Sequence, residues 1–388
     1  MMFSGTTAGT GGAQTSPPDH GRLTGPRAHR SWLALVAALG ACALVLALPQ
    51  PKRSQPTNAP PVQTLSGLWP GIAVGDAKGV LDSGFAYTPL AYLDSDTSVG
   101  TAPNADNTQL QLVVRHGADP ARTVHQLPGD QQPQIAGMTV AGDTLVWAET
   151  TVVDGRAHTE IWRADRRAGA ATQVTADTGD VVFFNAQYDL VVADGAVHWA
   201  AAARTTDAQT EIRSVPLAGG KVTVANFPGA FALSAWPWLV SAGGGQTGAV
   251  DLINLDTKQK VTAAASNNEL VTCTPTWCRV LVLGQGGPAR YDLMHPDGTD
   301  RQRVAGGQSS PAVTDVAILD RFEVLAATGR GGSPGSQQKL TLYDARTKQT
   351  VEVATGVGTV MARAGLLWWS TGDNEALTWH VLDLHKIP

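Results

Sequence analysis

Few residues of this chain have the types and spacing that chemistry requires, and each has a structural competitor. G-G-S-P-G at Gly331–Gly335 matches the G-x-S-x-G pattern of serine hydrolases. That chemistry needs the serine on a strained turn between a strand and a helix. Ser333 instead stands in a Gly-rich stretch followed by strand-like K-L-T-L-Y-D, so it reads as a loop. D-S-D-T-S-V-G at Asp94–Gly100 sets oxygens on alternate residues, as calcium loops do. Its Gly is one position late for an EF-hand, and no glutamate closes the ligand set, so a polar turn is the simpler reading. His116, His125, His158, His198, His295, His380 and His385 are scattered and form neither H-x-H nor H-E-x-x-H. His198 and His380 adjoin tryptophans on strand-like runs and read as structural. Trp147, Trp199, Trp238 and Trp368 recur at matching positions and read as packing. Trp69 or Trp236, if exposed, is the candidate for stacking on a sugar ring. The expectation is therefore no catalytic, metal or cofactor-binding residue and no cofactor.

Cys273 and Cys278, in C-T-P-T-W-C, bracket a tight turn. In a chain that leaves the cytosol this spacing reads as a disulfide. Zinc would need two more ligands, and no second Cys/His pair accompanies them. A loop this short gains little chain entropy, about 2 kcal/mol, so the bridge is a stabiliser. The two-residue spacing of thioredoxin-like redox motifs is missing.

The elements that must position these residues follow from composition and periodicity. Charged residues make up 16% of 388, with Gly 42 and Pro 23, which suits short strands and many turns rather than long charged helices. Net charge is −5 and no basic stripe is present, which excludes a nucleic-acid footprint. Residues 1–30 read as a polar, disordered cytoplasmic tail carrying Arg22, Arg27 and Arg30. Residues 31–48 read as a transmembrane helix, since every residue from Trp32 to Leu48 is apolar or Gly. The preceding arginines favour an N-terminus in the cytoplasm, and Lys52 and Arg53 weigh the other way. A cleaved signal peptide (Val45 and Ala47 before the cut) and a lipoprotein site at Cys42 compete with the uncleaved anchor. Residues 49–64 read as a Pro-rich spacer.

Residues 65–388 read as an all-β, extracytoplasmic domain of four-stranded repeats. In A-G-M-T-V-A-G-D-T-L-V-W-A-E, two strand-like runs flank Gly142-Asp143, and T-E-I-W-R-A-D and A-T-Q-V-T complete a meander. From Trp147 to Trp199 is 52 residues, then 40 to Leu239, 42 to Leu281, 44 to Leu325 and 43 to Trp368. A period near 40–45 with four strands per unit predicts a β-propeller, with seven blades expected and six as the alternative. The last unit has three strands, so Gly67–Val74 is expected to supply the fourth and close the ring.

The anchored architecture, A-G-D-T-L-V-W-A-E and C-T-P-T-W-C-R-V resemble the membrane-anchored TolB-like propeller proteins of actinobacteria, over roughly residues 65–388. The S-P-D-G blade turn of TolB itself is absent. The resemblance implies a propeller held at the cell membrane and does not carry over the partners of TolB. On this basis the expected role is a non-catalytic scaffold of the cell envelope, binding an envelope protein or a cell-wall polymer. The alternative is an extracytoplasmic propeller hydrolase or lyase with a channel-centred, metal-dependent site.

Overall fold

A computed structural model describes residues 63–241, 248–328, 338–373 and 376–388. The expected tail, the span 31–48 with Cys42, most of the spacer, and Ser333 with its glycines lie outside the described residues. Among the described residues no helix is long and apolar enough to cross a membrane.

Alternating apolar runs and turn residues fold into successive antiparallel meanders. Four of them are four-stranded sheets, over residues 88–128, 134–175, 231–263 and 269–306. Tight hairpins join the strands where the backbone must turn through positive φ. Asp194 and Gly195 do this at φ 51° and 74°, the combination a two-residue hairpin demands. The meander over 180–228 has five strands, because its innermost strand is split into Asp180–Val181 and Leu190–Ala193, both paired with Ala196–Ala202.

The remaining strands form one seven-stranded sheet. Gln349–Arg363 is its hinge: its first half pairs with Gln338–Asp344 and its second with Leu366–Thr371, with a register break between Val357 and Val360. One four-strand half runs from Ser309–Pro311 to this hinge. The other runs from the hinge through Thr378–Asp383 to Val74–Lys78. The N-terminal segment thus pairs antiparallel with the last strand, Val74 opposite Leu382 and Lys78 opposite Thr378. The residues differ from those expected. Leu65–Leu68 is a single helical turn capped by Thr64, and buried Trp69 packs edge-on against Phe322 at 6.3 Å. Pro70-Gly71 delays the ladder, since Pro has no N–H to donate and Gly71 takes φ 103°. Gln63 also joins this sheet, its carbonyl accepting from Glu352 N at 2.8 Å.

The apolar faces of the meanders pack against one another in order. Trp147 and Leu145 pack on Val99 and Leu112. Trp199 packs on Val146 and Ile161, Leu239 on Ile212, Val280 on Leu252, and Tyr343 on Leu293. Leu340 and Trp369 join the two halves of the seven-stranded sheet. Trp368 and Trp379 then return to Tyr92 of the first meander. The tryptophans expected to pack between repeats do so, with Trp147, Trp199 and Trp368 wholly buried. Trp238 packs from a half-buried position.

Candidate functional site

Among the described residues two connections at innermost strands depart from a tight hairpin. The first is the excursion through residues 182–189 that splits the strand of the third meander. Its turn is built by Asp189, whose carboxylate accepts from the Phe184 and Ala186 amides at 3.0 Å. The second is the stretch between Ser309–Pro311 and Phe322–Thr328, where a tight hairpin is replaced by an irregular loop. Ala317, Leu319 and Asp320 take positive φ there. Non-glycine residues hold such angles only where the surroundings fix them, a pattern common at functional sites.

Buried Glu323, with no exposed surface, supplies that fixing force. It accepts from Ala317 N at 3.0 Å and pairs with the Arg279 guanidinium. Arg279 in turn donates to Asp315 O at 2.6 Å. The second loop is thereby held from behind while its Asp315 side chain faces inward. The two excursions meet: the Asp315 carboxylate accepts from Gln187 N at 3.3–3.4 Å.

Both segments open on a cavity of about 670 Å³, lined by inner segments of the third to sixth meanders. Asp189, Asp315 and Tyr188 share it with Ser234, Asn267 and Thr274. Burial pushes the Asp315 carboxyl up to about 6, and neighbouring Asp189 pushes the same way. The Gln187 amide and the Arg363 and Arg279 guanidiniums oppose it. Burial also raises Asp189, but the Phe184 and Ala186 amides favour its charged form. Burial pushes the Tyr188 phenol up to about 12, with Asp315 and Asp320 adding to it, so the hydroxyl remains a donor. Glu269 also lines the cavity, yet Arg301 pairs with it at 2.6 Å and holds its carboxyl below the usual range. The cavity thus offers a carboxylic acid titrating near neutrality, a second carboxylate held by amides, and a phenolic donor. General acid–base catalysis uses such a set.

The residues expected from sequence fall mostly elsewhere. The Cys273–Cys278 disulfide is formed and staples the hairpin, with Cys273 on the cavity wall. Asp94 is a turn-former, its Oδ1 accepting from Asp96 N and Thr97 N at 2.8 and 2.7 Å. His198 is buried, bonded to Ser214 at 2.7 Å and stacked on Trp236 at 3.8 Å. One face of Trp236 is therefore taken, and Trp69 is closed to sugars by burial. His380 bridges Thr371 and Asp76, His295 stacks on Trp277, and His116 bonds Thr97. His385 bonds Asp383. His125 and His158 line an outer groove with Glu149 and Glu160. Among the described residues no three His, Cys, Asp or Glu stand close enough to hold a metal ion. Asp189 and Asp315 were missed because Y-D-L-V-V-A and V-T-D-V-A-I-L-D read as strand. The weak signal was Asp inside an apolar run, where a strand wants none.

No family model matches the chain, and no curated protein matches it. Solved structures do. A prolyl endopeptidase structure aligns at 13% identity and TM-score 0.51, over 82% of this chain and 49% of that one. The β-propeller domain of the Trilobed protease from Pyrococcus furiosus aligns at 10% identity and TM-score 0.42, over 64% and 82%. A puromycin-hydrolyzing peptidase of Mycobacterium tuberculosis aligns at 12% and 0.47, over 81% and 57%. The chain thus spans about half of the prolyl endopeptidase. At such identities the likeness shows the fold, a β-propeller. It also corrects the expected role: the prolyl endopeptidase match stands against the reading of a non-catalytic scaffold and of a chain that is no enzyme.

Proposed function

We propose that this chain is a propeller hydrolase whose chemistry takes place in the channel cavity. The carrying observation is the pair Asp315 and Asp189, brought by two irregular inner loops to one cavity of about 670 Å³. Asp315, protonated below about 6, gives its proton to the leaving group. Asp189, anchored by two amides, takes a proton from the attacking water. The hydroxide equivalent adds to the electrophilic carbon, Tyr188 donates to the oxygen on which charge develops, and the bond to the leaving group breaks as that group departs with the Asp315 proton. Solvent then returns Asp315 to the acid and Asp189 to the carboxylate. Peptides are the first substrate class to test, because the propellers it resembles serve peptidases. Glycosides are second, since two separate carboxylates also suit that reaction.

The same reading takes the seven-stranded sheet as two blades sharing Gln349–Arg363, which makes a seven-bladed ring closed by Val74–Lys78. It keeps the membrane anchor at 31–48 and a TolB-like propeller outside the cytoplasm. The formed disulfide supports an oxidising compartment. The substrate would then be a polymer or protein of the envelope.

The test uses the full chain in nonionic detergent against quenched peptide and chromogenic glycoside libraries. Turnover is expected to fall above pH 6 as Asp315 ionises, and Asp315→Asn to lose roughly 100-fold or more in kcat. Full activity in both Asp315→Asn and Asp189→Asn, or no turnover of either class, would sink the assignment.

A further inference from the structure

A second chamber opens on the other side of the 182–189 excursion. It holds about 440 Å³ and is walled by inner segments of the first, second, third and last meanders. Leu93, Val140 and Leu366 give it apolar sides. Its charged lining is mostly spoken for. Arg166 pairs with Asp143 at 2.7 Å, Asp94 binds the amides of its own turn, and Asp383 bonds His385 at 3.1 Å.

Arg363 is the exception. It is 8% exposed, and among the described residues no carboxylate lies within ion-pair distance of it. One terminal nitrogen donates to Met138 O and, at 3.5 Å, to Gln187 O, while its Nε is buried with no partner. Asp189 and Asp315 act on it only from a distance. A buried guanidinium with an orphaned donor is costly, and natural interiors rarely leave one so. The planar fork of arginine matches a carboxylate in two parallel hydrogen bonds.

We infer that this chamber is a binding site for a carboxylate on a short apolar body, with Arg363 as its anchor and Leu93, Val140 and Leu366 as the wall for the body. The chamber adjoins the acid pair, with Tyr188 in the wall of both cavities, and carboxylate binding there does not depend on turnover at Asp315 and Asp189.

The probes are hexanoate and its neutral isostere hexanamide, titrated into the full chain in nonionic detergent by calorimetry. Hexanoate is expected to bind at least about tenfold more tightly, the worth of a charge-assisted bond. Arg363→Met is expected to abolish that preference. Because this variant could also disturb the backbone that Arg363 holds, an alkyl-diazirine carboxylate is crosslinked to the unaltered protein and mapped by mass spectrometry. Labels are expected on 90–94, 138–142 or 363–367. Equal binding of acid and amide, tighter binding of inorganic phosphate than of hexanoate, or labels confined to other segments would overturn the proposal.

Discussion

The faces between meanders and the wall of the channel are built on opposite principles. Between meanders, Trp147, Trp199 and Trp368 are wholly buried among Val, Leu and Ile. Around the two inner cavities, buried positions are spent on charges: Asp189 and Asp315 on one wall, Arg363 on the other, and Arg279 with Glu323 behind the loop that carries Asp315. Apolar burial stabilises in proportion to area, whereas each buried charge carries a desolvation cost that partners only partly offset. Such costs are kept where something other than stability requires them, and this contrast is what supports the proposed site.

The largest expected effect is at a face. Trp199 is wholly buried and its indole donates to Thr178 O at 2.8 Å. Trp199→Ala removes the ring, leaves a cavity and orphans that carbonyl, so a loss of about 3–5 kcal/mol is expected. Denaturant unfolding reads it directly. A loss below about 1 kcal/mol would mean that the faces are not where the stability resides.

The channel is expected to respond with the opposite sign. Asp315 is raised to about 6 from an ordinary 3.8. The folded state therefore binds its proton more tightly than the unfolded state. This group's stabilisation is complete below about pH 4 and is lost as pH rises through about 6, on the order of 3 kcal/mol in all. Asp315→Asn cannot ionise and escapes that loss. Relative to the parent, the variant is expected to gain on the order of 3 kcal/mol in stability between pH 3.5 and pH 8 while losing turnover. Urea unfolding at the two pH values measures the difference. No gain at pH 8 would place Asp315 with the merely structural acids.

The faces were legible in the sequence and the channel was not, for a physical reason. The recurrence of Trp147, Trp199 and Trp368 reports a local period of strands and turns, and packing follows from that period. Cys273 and Cys278 were legible because five residues of separation allow only a tight hairpin. The strand that pairs with Thr378–Asp383 starts at Val74 rather than Gly67, because Pro70 and Gly71 interrupt the ladder, an effect that hydrophobic pattern alone does not register. Asp189 and Asp315 lie 126 positions apart and meet only through tertiary structure. Each sits in a run whose apolar neighbours imitate a strand, and no spacing rule ties them together. Arg363 likewise follows V-M-A in a strand, and its missing partner can be seen only in three dimensions.

The smallest expected effect separates one face from another. Trp199 and Trp368 are equally buried, yet the Trp368 indole N–H has no partner, while that of Trp199 has one. Replacing either by Phe removes a similar volume of ring. At position 199 the change also strands Thr178 O, whereas at 368 it removes an unsatisfied donor, and an orphaned buried group costs about 1–3 kcal/mol. Trp199→Phe is therefore expected to cost about 2 kcal/mol, and Trp368→Phe less than about 1 kcal/mol, because relief of the orphan offsets the small cavity. Parallel urea titrations of the two variants decide it. Equal losses would mean that the Trp368 donor is satisfied in solution, by an ordered water or by tilting toward the Tyr92 ring that it meets at 5.6 Å. The face joining the last meander to the first would then be as fully bonded as the one around Trp199.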